Sequence, residues 1–127
     1  MKFLHTMIRV KNIEESLKFY TQVLDMKLDE KRRLDDCWLY FLSDKGNTCQ
    51  IELTYNDETP VGGYNTGNGF GHFAFSVDSM SEFTKKIENL GYKYLYEPFD
   101  LTGKGSMIAF IKDPDGYEIE LIEKVEW

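Results

Sequence analysis

The sequence predicts an α+β fold made of two βαβββ modules in tandem, and an internal repeat is the main reason. His5–Val10 aligns with His72–Val77 at an offset of 67 residues, and Gln50–Leu53 aligns with Glu118–Leu121 at an offset of 68. The matches occur in the same order in both halves. The two offsets differ by one residue, as expected if a loop between the matched segments contains one inserted residue. Both halves are therefore predicted to have the same order of elements.

Two helix starts support the repeat. An Asn or Ser followed three residues later by Glu is typical of a helix N-terminus, and this pattern begins at Asn12 and at Ser79. Apolar residues at helical spacing then predict helices at Ile13–Leu24 and Met80–Leu90. Gly91 stands where a helix C-terminal glycine is expected.

Alternating or apolar runs predict four strands in each half. Those of the first half are Phe3–Val10, Met26–Arg33, Trp38–Ser43 and Thr48–Tyr55, and those of the second are Gly71–Val77, Tyr92–Tyr96, Met107–Lys112 and Tyr117–Glu123. Asp113–Gly116 predicts a tight turn before the last strand. We expect a single domain over residues 1–127, with one module at about 1–55, a Gly-containing linker at 56–69 and a second module at about 70–124.

Composition narrows the possible partners. The net charge of −7 argues against nucleic acid or an anionic membrane surface, and no apolar run approaches the ~20 residues that span a bilayer. An anionic ligand therefore needs a local cation. Cys37 and Cys49 are too few for a disulfide scaffold and lack metal-site spacing, so they are predicted to be reduced thiols of a cytoplasmic protein.

The strand pattern places one His and one Glu on the same face of each half. Side chains alternate between the two faces of a strand, so the face opposite the apolar one carries His5 and Glu52 in the first half. In the second half it carries His72 and Glu120. A single His or Glu on a strand is more often simply solvated, but these are the only two histidines in the chain, and they occupy equivalent positions. Two imidazoles and two carboxylates suit a divalent metal such as Ni²⁺, Co²⁺, Zn²⁺ or Fe²⁺.

Four segments resemble bacterial glyoxalase I, also called lactoylglutathione lyase, of the vicinal-oxygen-chelate superfamily. They are His5–Val10, Ile51–Asn56, Gly71–His72 and Asp113–Leu121. The first two are the more specific to this enzyme, because the Asp-Pro-Asp-Gly turn is shared widely across the superfamily. The resemblance runs from the first residues to about Lys124, which is nearly the whole chain.

This resemblance implies a role for each candidate residue. The metal ligands would be His5, Glu52, His72 and Glu120, with Glu120 as catalytic base and Glu52 as its counterpart. The residues that bind substrate would be Arg9, Asn56, His72 and Lys104. The substrate would be the hemithioacetal of methylglyoxal and glutathione, and the product S-lactoylglutathione. An arginine that some relatives carry shortly before the second histidine is absent, and Asn68 stands near that position.

The resemblance also favours nickel or cobalt over zinc, because His5 fills the first ligand position and the chain lacks helical extensions; zinc stays possible. It favours a homodimer whose sites are shared by two chains, although sites within one chain remain open. Two alternatives are left. One is another metal enzyme on this scaffold, similar to methylmalonyl-CoA epimerase or to a thiol transferase, and the other is a non-catalytic binding module.

Overall fold

The computed structural model describes residues 1–123 and divides the chain into two compact units, with the boundary along the chain between Asn65 and Thr66. In the first unit the elements are β1 (His5–Arg9), α1 (Ile13–Lys18), a π-helical segment (Phe19–Val23), β2 (Lys27–Arg33), β3 (Cys37–Ser43) and β4 (Gln50–Asn56). In the second they are β5 (His72–Val77), α2 (Met80–Leu90), β6 (Tyr94–Asp100), β7 (Met107–Lys112) and β8 (Glu118–Glu123). The predicted α+β fold of two βαβββ modules is confirmed.

Each unit contains one four-stranded sheet with the same topology. The strand order is β1-β4-β3-β2 in the first unit and β5-β8-β7-β6 in the second. The first strand of each unit pairs in parallel with the last, and the remaining pairs are antiparallel. The parallel pair therefore brings together the strand that carries the histidine and the strand that carries the glutamate.

The apolar face of each sheet forms the core of its unit. Ile8 of β1, Val10 directly after this strand and Leu53 of β4 are buried in the first unit, and Ile119 and Leu121 of β8 are buried in the second. The opposite faces remain available for polar side chains, as the alternation predicted.

The first helix differs from the prediction of one regular helix over Ile13–Leu24. It is α-helical to Lys18 and then continues as a π-helical segment, in which the Leu24 N–H donates to the Phe19 carbonyl at 3.4 Å. Phe19 and Tyr20 are both fully buried. Apolar spacing over a single turn does not distinguish bonding between residues four apart from bonding between residues five apart, so the sequence pattern did not reveal the wider turn.

The second helix spans Met80–Leu90 as predicted. Its N-terminus is capped by the Ser79 hydroxyl, which accepts from the Glu82 N–H at 3.3 Å. Gly91 ends the helix in the left-handed region with φ of 84°. The Tyr92 N–H then donates to the Ile87 carbonyl at 2.8 Å, which completes the expected C-terminal motif.

The strand predicted at Tyr92–Tyr96 was misplaced, because β6 runs from Tyr94 to Asp100. This strand lies at the edge of its sheet and its pairing with β7 shifts register twice. An irregular edge strand tolerates Pro98, which cannot donate a ladder hydrogen bond, whereas the prediction stopped before the proline.

Three other features bear on the predictions. The turn at 113–116 forms as expected, with φ of 91° at Gly116 and the Asp113 carboxylate accepting from the Tyr117 N–H at 2.8 Å. Cys37 and Cys49 are free thiols, as predicted. Among the described helices, none combines the length and the apolar character needed to cross a membrane.

Candidate metal and substrate site

In the first unit, His5 and Glu52 lie side by side on one face of the sheet. His5 begins β1, Glu52 is in the middle of the neighbouring parallel strand β4, and His5 Nε2 is 3.5 Å from Glu52 Oε1. The carboxylate is 11% exposed and the imidazole 34% exposed. A largely buried carboxylate is thus held beside an imidazole that solvent can reach.

The second unit repeats this arrangement with His72 and Glu120. His72 begins β5, Glu120 is in β8, and His72 Nε2 is 3.0 Å from Glu120 Oε2. The exposures are again unequal, at 42% for the imidazole and 12% for the carboxylate. The prediction that each half presents one His and one Glu on a shared face is confirmed within each unit.

A phenylalanine that the sequence analysis missed accompanies each pair. Phe41 lies opposite Glu52 across β3 and β4, and its ring meets the His5 ring edge-on at a centroid distance of 5.5 Å. Phe110 lies opposite Glu120 and meets His72 edge-on at 5.4 Å. Edge-on packing fixes the plane of each imidazole. Each phenylalanine is in the third strand of its half, but only the cross-strand register shows that it faces the glutamate.

Each pair offers two donors of the types found in metal sites. An imidazole nitrogen and a carboxylate oxygen are the ligands that borderline divalent metals accept. Among residues 1–123, no group of three or more His, Cys, Asp or Glu side chains is placed to hold a metal ion. Each unit thus contributes two donors, and neither unit by itself supplies three.

Arg9 and Asn56, the two predicted substrate residues of the first unit, end the two strands that carry the metal-type donors. Arg9 is the last residue of β1 and is exposed, and Asn56 is the last residue of β4 and is half-buried. The Asn56 Nδ2 donates to the Tyr64 hydroxyl at 2.8 Å. Both residues lie in the segment 56–69 that was predicted as a linker, and no sequence pattern indicated this contact.

Lys104 is in an exposed loop between β6 and β7 whose shape depends on Asp100. The Asp100 carboxylate accepts from the backbone N–H groups of Gly105 at 2.7 Å, Gly103 at 2.8 Å and Thr102 at 3.1 Å. These bonds, the one from Gly105 first, hold the pKa of Asp100 below its usual value. The loop therefore stays anionic at its base around neutral pH and presents a lysine at its tip.

Comparison with known proteins identifies the class. The family model described as the Glyoxalase/Bleomycin resistance protein/Dioxygenase superfamily matches residues 2–121. The chain belongs to this superfamily, and the predicted resemblance to glyoxalase I is confirmed by its relatives.

Three relatives illustrate the similarity. Lactoylglutathione lyase of Salmonella typhimurium is 41% identical over 97% of this chain and 93% of that protein. Lactoylglutathione lyase GLX1 of Arabidopsis thaliana is 40% identical over 97% of this chain and 44% of that protein. The crystal structure of glyoxalase I from Zea mays has a TM-score of 0.86 and 36% identity, with 98% of this chain and 45% of that chain covered. The chain thus spans less than half the length of these plant relatives.

Proposed function

We propose that this chain is a metal-dependent glyoxalase I that converts the hemithioacetal of methylglyoxal and glutathione to S-lactoylglutathione. One observation carries the proposal. Equivalent His–Glu pairs at 3.5 Å and 3.0 Å occur in a chain 41% identical to a bacterial lactoylglutathione lyase over 93% of that enzyme's length. A non-catalytic binding module would not require a donor pair in each of its two repeats.

We assign four side chains as the ligands of one divalent metal, namely His5, Glu52, His72 and Glu120. Each described unit offers two of them, so two pairs have to combine to complete the set. When bound, the metal supplies a Lewis acid that stabilises negative charge developing on the neighbouring substrate oxygens.

The proton transfer is assigned to the carboxylates. Glu120 removes the carbon-bound proton of the hemithioacetal and returns it to the adjacent carbon, and Glu52 serves the other epimer of the substrate. Both carboxylates are about nine-tenths buried. Burial limits access of water to the proton while the base holds it, which favours return of the proton to the substrate.

The remaining candidates bind and orient the thiol. Glutathione is anionic and the chain carries a net charge of −7, so the attraction must come from local cations. Arg9 provides a bidentate donor for a carboxylate and Asn56 provides an amide. Lys104 adds a positive charge on an exposed loop. We also assign His72 a contact with the substrate, in addition to its role as a metal ligand.

We also propose a homodimer in the cytoplasm. The chain covers 44% of the Arabidopsis relative and 45% of the maize chain, so a plant chain is long enough for two lengths of this one. Two chains would then correspond to one plant chain. The two free thiols are typical of a reducing compartment.

The proposed reaction is tested with the wild-type protein, by following thioester formation from methylglyoxal and glutathione in the ultraviolet. Trypanothione is a useful second thiol, because the similar glyoxalase I of Leishmania major is trypanothione-dependent. Thioester formation with glutathione supports the proposal, and formation with trypanothione alone would keep the reaction and replace the thiol. Metal binding without thioester formation from any low-molecular-weight thiol would favour a different reaction on the same scaffold, such as an epimerase.

Replacing Arg9 with alanine is expected to weaken apparent substrate affinity and leave metal content unchanged. A charged hydrogen bond is lost, which corresponds to about 1.5–3 kcal/mol. Steady-state kinetics and elemental analysis measure the two effects. Lys45→Ala, in an exposed turn of the same unit, is the matched control for loss of a positive charge. Loss of metal from the Arg9 variant would show a structural role instead.

Metal preference is a separate expectation. Metal-stripped protein is expected to recover more activity with Ni²⁺ or Co²⁺ than with Zn²⁺, because His5 at the first ligand position resembles the nickel-activated enzymes. Equal protein samples, each saturated with one metal, provide the comparison. Highest recovery with Zn²⁺ would overturn the subgroup assignment and leave the proposed reaction standing.

A further inference from the structure

The two His–Glu pairs differ in the residue two positions after each glutamate, and this difference affects how firmly each carboxylate is held. In the first unit the Thr54 hydroxyl donates to Glu52 Oε2 at 2.9 Å, while Glu52 Oε1 faces His5. Thr54 and Glu52 are both buried residues, so this bond joins two buried groups. Both oxygens of the Glu52 carboxylate are therefore engaged.

Ile122 occupies the equivalent position in the second unit. The offset of 68 residues that relates Glu52 to Glu120 also relates Thr54 to Ile122, and both residues lie two positions further along the strand on the same face. Ile122 is 8% exposed and its hydrocarbon side chain cannot donate. In the described part of the second unit, the polar contact of the Glu120 carboxylate is His72 at 3.0 Å.

This difference suits the two otherwise equivalent carboxylates to different roles. A carboxylate whose two oxygens both have polar partners is held in one rotamer, whereas one with a polar partner on a single oxygen can turn about its terminal bond. We infer that Thr54 is a positioning residue, which holds Glu52 in its metal-binding orientation and leaves Glu120 free to turn towards substrate and move the proton. This inference rests on the proposed function, and it gives a structural reason why Glu120 is the principal base.

Thr54→Val and Thr54→Ser form the first test, since valine keeps the shape and serine keeps the hydroxyl. Metal affinity is measured on stripped protein by competition with a chelator, which requires no substrate. Thr54→Val is expected to bind metal about 10-fold more weakly or worse, and Thr54→Ser within about 3-fold of wild type, because loss of a partner that orients a metal ligand typically costs 10–100-fold. Equal affinity of the two variants would overturn the inference.

The converse test places a hydroxyl beside Glu120. Ile122→Thr is expected to lower kcat by about 10-fold with KM and metal affinity unchanged, because the added hydrogen bond to a charged group resists the turn of Glu120. Ile122→Val, which removes a methylene without adding a hydroxyl, controls for packing and is expected to keep kcat. A loss of kcat equal in the two variants, or no loss in Ile122→Thr, would overturn the inference.

The test on Thr54 does not depend on the proposed reaction, because metal affinity is measured without substrate. Absence of thioester formation by the wild-type protein would refute the proposed function, while the metal affinities of the Thr54 variants would still decide whether Thr54 positions Glu52. Activity in the wild type with unaltered affinity in Thr54→Val would refute the positioning role alone. Thermal denaturation of all four variants identifies any that fail to fold, and the remaining pair then decides.

Discussion

Glu120→Ala is expected to lower kcat by about 10²–10⁴-fold even at saturating metal, because a positioned general base typically contributes this factor. The Glu120 carboxylate is 12% exposed and lies 3.0 Å from His72, so water does not readily replace it. Steady-state thioester formation across a metal titration separates lost proton transfer from weakened metal binding.

Glu118→Ala is the matched control for that experiment. Glu118 is on the same strand, two residues before Glu120 and on the same face, and it lies opposite Lys112. The proposed mechanism gives it no role, and its replacement is expected to leave kcat near the wild-type value. Near-normal activity in Glu120→Ala, or an equal loss in both variants, would contradict the assignment of the base.

Mixing two inactive variants is expected to restore activity. Glu52→Ala and Glu120→Ala should each be nearly inactive alone. If each site combines the first-unit pair of one chain with the second-unit pair of its partner, then in a mixed dimer one site collects both lesions and the other collects none. Random assortment makes about half of the dimers mixed, so about a quarter of all sites recover after joint unfolding and refolding.

Two controls make the mixing experiment decisive. Refolding either variant by itself is expected to restore nothing, and refolding the wild type measures the yield. Restoration of about a quarter of the yield-corrected activity supports sites shared between chains. A mixture as inactive as its components would show that each site is built within one chain, which leaves the proposed reaction untouched and removes the shared-site dimer.

The architecture could be predicted well because the same local signals occur in both halves of the sequence. Two helix starts, at Asn12 and Ser79, recur with the same spacing from the strand before them, and both caps form. The faces of the strands followed from alternation, and the parallel pairing of the first and last strands of each unit brought His5 to Glu52 and His72 to Glu120.

The features that escaped prediction depend on tertiary contacts. Phe19 and Tyr20 are both buried in the π-helical segment. The spacing of apolar residues in the sequence does not distinguish such a turn from a regular helical turn. The extent of β6 depends on its place at the sheet edge. Phe41 and Phe110 became visible only with the cross-strand register, which fixes which residue faces each glutamate.

The substrate residues are the least predictable part of the site. Resemblance assigned three of them, Arg9, Asn56 and Lys104. The structure adds a hydrogen bond from Asn56 to Tyr64, and it shows that hydrogen bonds to Asp100 hold the loop that carries Lys104. Loop side chains such as Tyr64 have no periodic pattern, so their contacts do not follow from sequence spacing.

In the proposed mechanism, paired His and Glu side chains hold a metal on which isomerase activity depends. The most direct test is thioester formation from methylglyoxal and glutathione by chelator-stripped protein, before and after a divalent metal is added back. Activity is expected to be lost on stripping and to recover on readdition, with no recovery in a His5→Ala, His72→Ala double variant at the same metal concentration. Full activity in the metal-free wild-type protein would contradict this mechanism.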